Sequence, residues 1–515
     1  MTRPGQIPPM IPAAAALAAG IVVSWYFMLP VRFTAAAAAV CAVTAAVAVD
    51  RSRAAGVAAL AAVLFLGMTA SGMRPVVDVP DTARAVCDVE ITGHVAFRDG
   101  WLRTSGELRA RRSADGVWHG CRGRVVIAAD SASGIRHGDR VVCRTRIVPF
   151  DGSSEGYGGL MRRRGYAGRL FIAGRDVLSR QRCAEHRLIA SLHERAVRRM
   201  AQLPLEGRSL AVATALGTGD RSLLDRELRG EYSRAGMAHV LALSGLHVGI
   251  VLLLVDALLF WMPLLPAGHR LRCLAAVALL WCYVAVTGMS PSAVRAAMMF
   301  SALQLSRLFS ARYSGANALA AAAFVCMCHD PELLRDPGFQ LSYAAVAGIL
   351  AWGVPLCRLL HVPYDGRRHD LRGRVRNAAC AALNMLTETV AVGLTASLAA
   401  APLVSHLFGA VPVAGPLTSP AAVAAAAVVV LLSAVWLVVP FDAPAPLFGR
   451  VAEFAADVLN VLSERVSGLA WAAFDVRLNG WQTVAAYAVM AAATAMFAGR
   501  RGDKGREWSL NEKKS

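Results

Sequence analysis

Two histidines and a serine stand inside an otherwise apolar stretch, "GMAHVLALSGLHVGI", at residues 236–250. On one continuous helix, His239 and His247 would lie about 80° apart in azimuth and about two turns apart, so they could not hold one metal ion together. Ser244 and His247 are three positions apart and can share a helix face, which would suit a serine nucleophile with a histidine base. We favour the alternative, in which the serine bonds its own backbone and the histidines bond neighbouring helices.

Further polar side chains interrupt apolar segments later in the chain. Arg295 follows a predicted turn at residues 287–291 in "YVAVTGMSPSAVRAAMMF", and Gln340 and Ser342 stand at the start of the segment in "DPGFQLSYAAV". Charged and polar groups at membrane depth are costly, so they usually face a bundle interior or a watery path. Together these residues indicate a lined cavity, with Asp256, Asn317, Glu388 and His406 as further candidates.

The elements that position these residues follow from composition. The chain has 515 residues, of which 56% are hydrophobic and 17% charged, and this places it among membrane proteins. A membrane-spanning helix needs about 20 mostly apolar residues. Candidate segments are 10–29, 33–49, 54–73, 236–264, 271–289, 292–309, 316–328, 341–359, 378–408, 421–439 and 481–497. Because two more apolar segments follow the first at once, we interpret it as an uncleaved anchor rather than a secretory signal.

Residues 76–183 have a different pattern. Short alternating runs, such as "CDVEITGHVAF" and "CRGRVVIAAD", are separated by Gly, Asp and Ser turns and predict five short strands. Five strands in about a hundred residues suit a small barrel of the oligonucleotide/oligosaccharide-binding (OB) type, although another small β-barrel would fit the spacing equally well.

The distribution of arginine predicts the side of the membrane on which this β domain lies. Arg3, Arg51 and Arg53 mark cytoplasmic segments, so three crossings leave residues 76–183 outside the cytoplasm. Cysteines in an oxidising compartment can form disulfides. The candidates are Cys87, Cys121, Cys143 and Cys183, which could form one or two disulfides or be buried free thiols.

These patterns divide the chain into five regions. They are a transmembrane anchor of about three helices (1–75), the extracytoplasmic β domain (76–185), amphipathic helices beside the membrane (186–235), a transmembrane bundle (236–500) and a basic cytoplasmic tail (501–515). The net charge is +19, almost all of it from arginine. Cytoplasmic loops of a protein from a GC-rich genome would explain most of this excess, and a polyanionic cargo would also fit it.

Five stretches, in chain order, carry a resemblance to a known family. They are "AHVLALSGLHVGI", "YVAVTGMSPSAVRA", "NALAAAAF", "DPGFQLSYAAVAGI" and "TASLAAAPLVSHLFGAVPVAGPL". Over about residues 76–440 the chain resembles the ComEC-type competence proteins. The resemblance implies a polytopic α-helical membrane protein with an inserted extracytoplasmic small β-barrel (OB-like) domain. It also implies a channel for uptake of single-stranded DNA across the bacterial inner (plasma) membrane during natural transformation. The DNA path would contain His239, Ser244, His247, Arg295, Gln340 and Ser342.

The sequence also departs from this family. "FDGSSEGYGG" replaces the usual Asn-Pro-Gly turn before "YGGLMRRRGYAGRL", and "VAGPLTSP" lacks a usual asparagine. The His-x-His-x-Asp-His pattern of the metallo-β-lactamase-like domain found in many members is absent from this sequence, as is a GxxxxGK[ST] loop. We therefore expect a short form without nuclease or ATPase activity, catalytic residues, metal or other cofactors.

The expected partners are single-stranded DNA, membrane lipid, a DNA receptor outside, and a helicase or single-strand-binding protein inside, together with self-association as a homo-oligomer. Phosphates would first meet arginines of the β domain, for which the candidates are Arg162, Arg163, Arg164 and Arg169. Two other classes of protein fit parts of the sequence. A transporter of another small or polyanionic solute would share the hydropathy, and an intramembrane hydrolase would use Ser244 and His247.

Overall fold

The computed structural model describes residues 8–511 apart from 28, 48–51, 74–83, 93–95, 99–100, 113–114, 136–137, 151–157, 159–160, 163–164, 183–186, 242–243, 309–313 and 364–370. The chain forms two compact units. The first comprises residues 1–228, 239–336 and 425–460, and the second comprises 229–238, 337–424 and 461–515.

Three apolar helices open the first unit: α1 (Met10–Tyr26), α2 (Val31–Val47) and α3 (Ser52–Gly72). Helices α1 and α3 touch through glycine, because a side chain on Gly20 or Gly67 would overlap the backbone carbonyl of the opposite helix. Small residues let membrane helices approach closely, and this contact explains how an alanine-rich anchor packs without large side chains.

The β domain consists of strands β1 (Ala85–Ile91), β2 (Ala96–Arg98), β3 (Trp101–Arg112), β4 (Trp118–Ala129), β5 (Asp139–Thr145), β6 (Ile147–Val148), β7 (Tyr166–Ile172) and β8 (Val177–Arg182). They form one curled sheet, a half-barrel, in the order β6-β7-β4-β3-β1-β5-β8, with β2 paired to β3. Inward side chains such as Val89, Ile127 and Leu170 are fully buried in one apolar core. The prediction of five strands was wrong, because two of the predicted runs each form two strands and β8 was missed.

Three helices follow the sheet: α4 (Arg187–Met200), α5 (Gly207–Thr218) and α6 (Arg226–Arg234). Helix α5 lies within the stretch predicted to lie beside the membrane, and it is buried by the protein itself. Its Ser209 and all of residues 211–218 are buried, since small side chains let neighbouring elements pack on every side.

Arg199 fixes helix α4 to the C-terminal end of the apolar helix Gly415–Val438, in the part of the first unit that comprises residues 425–460. The Arg199 guanidinium lies 3.8 Å from the ring centroid of Trp436 and donates to the carbonyls of Val439 and Phe441. The Trp436 indole N–H donates back to the Arg199 carbonyl at 2.8 Å. This arginine therefore satisfies backbone groups at the end of an apolar helix that would otherwise lack partners.

The bundle contains α7 (Ala238–Leu241), α8 (Gly245–Leu258), α9 (Gly268–Val286), α10 (Pro291–Leu308), α11 (Gly315–His329), α12 (Pro337–Gly348), α13 (Val354–Leu360), α14 (Leu371–Phe408), α15 (Gly415–Val438), α16 (Ala445–Ser467) and α17 (Gly480–Asn511). A π-helical turn, Ile349–Gly353, joins α12 to α13. In the second unit, β9 (Val411–Pro412) pairs with β10 (Ala473–Phe474). Residues 501–511, predicted as a tail, continue α17.

Within the described residues, six helices are long and apolar enough to cross a membrane: Ala54–Gly72, Gly245–Leu264, Gly268–Val286, Pro337–Leu360, Arg374–Phe408 and Gly415–Val438. Shorter apolar helices are Met10–Tyr26, Val31–Val47 and Gly315–His329. The chain is thus a multi-pass α-helical membrane protein with an inserted OB-like β domain.

Candidate functional site

The stretch that carries both histidines does not form one helix. Helix α7 ends at Leu241, and α8 begins after Ser244, whose backbone is extended with φ −97° and ψ 168°. Ser244 is the N-cap of α8, and its backbone N–H donates to Nδ1 of His247 at 3.3 Å. His247 occupies the position where a capping box usually has Glu or Gln. Its imidazole therefore satisfies a backbone donor at the start of α8.

This arrangement changes the interpretation of the histidine pair. His247 is 1% exposed, whereas His239 is exposed on α7, so the two histidines are in different environments. Nδ1 of His247 accepts the Ser244 backbone N–H, an arrangement that caps a helix rather than one that activates a serine hydroxyl. Among the described residues, no three His, Cys, Asp or Glu side chains cluster in a way that could hold a metal ion.

Helix α8 packs in parallel against α10. A methyl group on Gly245 would lie 3.6 Å from Ala296, and one on Gly249 would lie 3.1 Å from the Phe300 ring. Farther along, Gln304 Nε2 donates to Asp256 Oδ2 at 3.2 Å. These contacts advance in the same direction on both helices, so their N-termini lie at the same end.

Arg295 lies at that shared end, in the first turns of α10, and it is 5% exposed. The structure therefore brings His247 and Arg295 to the same end of two packed helices. Each helix N-terminus carries a partial positive charge of roughly 0.5. Together with the guanidinium of Arg295, the two helix N-termini place positive charge at this end of the helix pair.

A second polar cluster lies farther along the same helices. Asp256 of α8 accepts from Gln304, which is 1% exposed, and its carboxylate lies 3.6 Å from Nε of Arg272. Arg272 also donates to the Asp256 carbonyl at 2.9 Å. The sequence singled out Asp256 but not its partners, because they lie on other helices far along the chain.

The turn before α10 is formed as predicted, and one of its contacts was not foreseen. Gly288 and Met289 have φ values of 74° and 53°, which let the chain reverse between α9 and α10. His193 of α4 places Nδ1 2.8 Å from the carbonyl oxygen of Val286. The sequence offered little signal for His193, since it stands in a charged amphipathic run.

Gln340 and Ser342 belong to the second unit, where both are half-buried on α12. The end of α12 packs closely on α14, because a methyl group on Gly348 would overlap Ala399. His406 of α14 lies 3.0 Å from the carbonyl of Leu478, which ties this helix to the segment before α17. These contacts fix the helix that presents Gln340 and Ser342.

The predicted sites of the β domain are partly within the described residues. Arg162 and Arg169 are exposed, and the Arg169 guanidinium lies 5.1 Å from the ring centroid of Phe150. Arg163, Arg164 and Cys183 lie outside the described residues.

The three described cysteines of the β domain, Cys87, Cys121 and Cys143, are free thiols, and two of them are neighbours. Cys87 of β1 stands directly opposite Cys143 of β5, and both are fully buried, whereas Cys121 is half-buried. Burial raises the pKa of Cys87 to about 11 and that of Cys143 to about 12. Both thiols are therefore protonated at neutral pH, which makes them unreactive.

Comparison with known proteins places this bundle in a family. The family model described as "Competence protein" matches residues 216–501, more than half of the chain. A segment covering 26% of the chain is 35% identical over 136 residues to "ComE operon protein 3" of Bacillus subtilis (strain 168). A segment covering 28% of the chain is 26% identical over 146 residues to "Uncharacterized protein YcaI" of Escherichia coli (strain K12). The chain covers 17% and 19% of the lengths of these relatives, and no solved structure matches it.

Proposed function

The chain belongs to the competence protein family, and on that premise we propose that it is a channel for uptake of single-stranded DNA during natural transformation. The observation that carries the proposal is the positive charge at the shared end of the α8–α10 pair. It combines two parallel helix N-termini with the buried Arg295 of α10. Helix α8 belongs to the segment Gly245–Leu264, which is long and apolar enough to span a membrane. A phosphodiester strand is a ligand that such an end favours.

The proposed path contains His239, Ser244, His247, Arg295, Gln340 and Ser342. Passage must be independent of sequence, so contacts should be made to phosphates and sugars rather than to base edges. The Ser244–His247 cap fixes where α8 begins, and the Gly245 and Gly249 contacts fix α8 against α10. In this proposal, His247 positions the helix end, and Arg295 supplies the charge.

Location and partners form part of the proposal. We place the protein in the bacterial inner membrane, with the β domain outside the cytoplasm. A DNA receptor would deliver the strand, and a cytoplasmic helicase or single-strand-binding protein would pull it inward. The chain itself would then contribute binding and passage rather than catalysis. Self-association as a homo-oligomer is also part of the proposal.

The test is transformation in the native host under conditions of demonstrated competence. The gene is deleted and restored as wild type, His247→Ala or His269→Ala, and membrane abundance is measured for each. His269 is an exposed histidine in the first turn of α9, and it serves as the matched control. We expect deletion to abolish uptake of marked DNA, wild type and His269→Ala to restore it, and His247→Ala to restore it poorly. Undiminished uptake after deletion in a competent host would exclude the DNA-channel proposal.

A further inference from the structure

The outer face of the β domain separates into two parts. Side chains alternate along each strand, so residues that point away from the core share this outer face. In its centre, Glu90 accepts from Arg109 at 2.7 Å, and Asp88 accepts from Arg140 at 2.5 Å. Both carboxylates are below a tenth exposed. The charges in this central part therefore neutralise one another.

The part formed by β3, β4 and β7 has a different composition. Trp101 of β3 and Phe171 of β7 meet edge to face, with ring centroids 6.4 Å apart and planes at 83°. They are 42% and 47% exposed. Large aromatic side chains usually bury most of their surface, so two half-exposed rings in contact form an unusual surface feature.

Arginines flank this aromatic pair on the same face. Ala128 of β4 is opposite both Arg103 of β3 and Phe171 of β7 in the strand register. Arg169 precedes Phe171 by two residues, so it also points outward, and both arginines are exposed. The small side chain of Ala128 lets the two rings meet above β4.

We propose that this aromatic–arginine face, formed by Trp101, Arg103, Ala128, Arg169 and Phe171, binds single-stranded DNA, with bases stacked on the rings and phosphates against the two arginines. This inference rests on the proposed function and assigns it a first binding surface. A single strand offers flat π-surfaces and regularly spaced negative charge together, which complements both kinds of side chain found here. Duplex DNA buries its base faces, so it would lack the stacking contribution.

The experiment uses the full chain in lipid nanodiscs and a fluorescein-labelled oligo-dT, with binding measured by anisotropy. The test variant carries Trp101→Ala and Phe171→Ala. The matched control is Trp118→Ala, because Trp118 is 46% exposed and stands at the opposite end of β4 from Ala128. Loss of one stacked base should weaken binding by about ten-fold or more, whereas the control should bind as wild type does.

Two further measurements separate stacking from a folding defect. A variant with Trp101→Phe and Phe171→Tyr keeps two aromatic rings and should retain the wild-type affinity. An abasic strand of equal length should bind wild type and the Trp101→Ala/Phe171→Ala variant equally weakly, because only the phosphates remain to be contacted.

The outcomes distinguish this inference from the function on which it rests. If wild type binds oligo-dT and the Trp101→Ala/Phe171→Ala variant binds it equally well, this surface is not the binding site, while the channel proposal stands. If the aromatic-preserving variant loses affinity as strongly as the double alanine variant, the surface acts through folding, and stacking is excluded. If wild type binds no single-stranded DNA although deletion abolishes transformation, the surface assignment fails alone. If deletion also leaves transformation intact, both proposals fail.

Discussion

The outer face of the β domain and the shared end of α8 and α10 hold arginine in opposite ways. On the sheet, the side chains of Arg109 and Arg140 are about half exposed and pair with carboxylates. In the bundle, Arg295 is 5% exposed. A solvated guanidinium costs little to place and adds little stability, whereas a buried one is expensive and is kept where it does something specific. The net charge of +19 therefore describes two populations of arginine with different consequences.

The strongest test of this contrast is a variant that removes the positive charge of the buried Arg295. We expect Arg295→Gln to lower uptake of marked DNA by about 100-fold or more. A guanidinium and a DNA phosphate 4 Å apart attract each other by about 4 kcal/mol in an effective dielectric of about 20, and the variant loses this attraction. Arg295→Lys keeps the charge and should restore part of the uptake. Uptake is measured by transformation, normalised to the amount of protein in the membrane.

The matched control is Arg124→Gln, which removes an exposed arginine from β4. Its effect on uptake should be less than about three-fold, in keeping with the small contribution of a single exposed charge. If Arg124→Gln and Arg295→Gln reduce uptake equally, burial does not distinguish the two populations and the contrast is wrong.

The second prediction concerns two thiols, Cys87 and Cys143, that lie in the apolar core of the β domain and become negatively charged at high pH. Below about pH 9 the thiols of Cys87 and Cys143 are protonated in both the folded and the unfolded chain. Above that pH the unfolded chain loses these protons, while burial holds the folded pKa values at about 11 and about 12. The free energy of unfolding should therefore fall as the pH rises from about 9 to 12, by about 1.4 kcal/mol for each unit of raised pKa.

Alkylation followed by mass spectrometry measures this effect at each cysteine. Cys87 and Cys143 should be protected at pH 8 and become labelled as the pH rises, whereas the half-buried Cys121 should react sooner. The double variant Cys87→Ala/Cys143→Ala should lose the alkaline decline. Rapid labelling of Cys87 in the folded protein at pH 8 would contradict its burial, and labelling that requires a reductant even after unfolding would reveal a disulfide.

The third prediction compares two carboxylates. Asp256→Asn should destabilise the bundle by about 1–3 kcal/mol, because Arg272 and the buried Gln304 lose a charged acceptor. Asp88→Asn should cost less than about 1 kcal/mol: the Asp88 side chain is 8% exposed, but Arg140 is half exposed and can bond to water instead, whereas Gln304 is 1% exposed and cannot. Thermal unfolding of both variants in the same detergent checks the order. Equal shifts in Tm would show that the contacts of Asp256 with Arg272 and Gln304 stabilise the protein no more than the contact of Asp88 with Arg140 does.

The sequence predicted those parts of the molecule that leave a local pattern. Long apolar runs gave the spanning helices, and alternation gave β3, β4 and β7. Strand β8, "VLSRQR", was missed because polar residues occupy both of its faces. Residues 186–235 were predicted to lie beside the membrane because the run as a whole is charged and amphipathic, a pattern that does not reveal that tertiary packing buries α5.

The candidate site was predictable to a smaller extent. The Ser-Gly pair at 244–245 was a usable signal for a helix start, but a histidine in place of Glu or Gln concealed the capping box. The contact of Asp256 with Gln304 joins residues 48 positions apart, and the parallel packing of α8 on α10 joins residues even farther apart in the chain. Local periodicity contains no information about such pairs. Candidate residues such as His247, Asp256 and Arg295 could therefore be named from the sequence. Which of them lie close together could be learned only from the way the helices pack.

The smallest expected effect comes from a single exposed arginine of the β domain. Arg169→Gln should weaken binding of oligo-dT to the full chain in nanodiscs by only a few-fold, because one solvated phosphate contact is lost. It should also reduce the slope of log affinity against log salt by about 0.7, the value for one neutralised phosphate of a single strand.

The control for this prediction is Arg175→Gln, an exposed arginine in the turn before β8. Its salt slope should equal that of wild type. The slope matters more than the affinity, because it counts phosphate contacts directly, whereas affinity also contains the stacking contribution of Trp101 and Phe171. If Arg169→Gln leaves the slope unchanged while Arg295→Gln lowers it, the strand is held electrostatically in the bundle alone, and the sheet would bind it only through its aromatic rings.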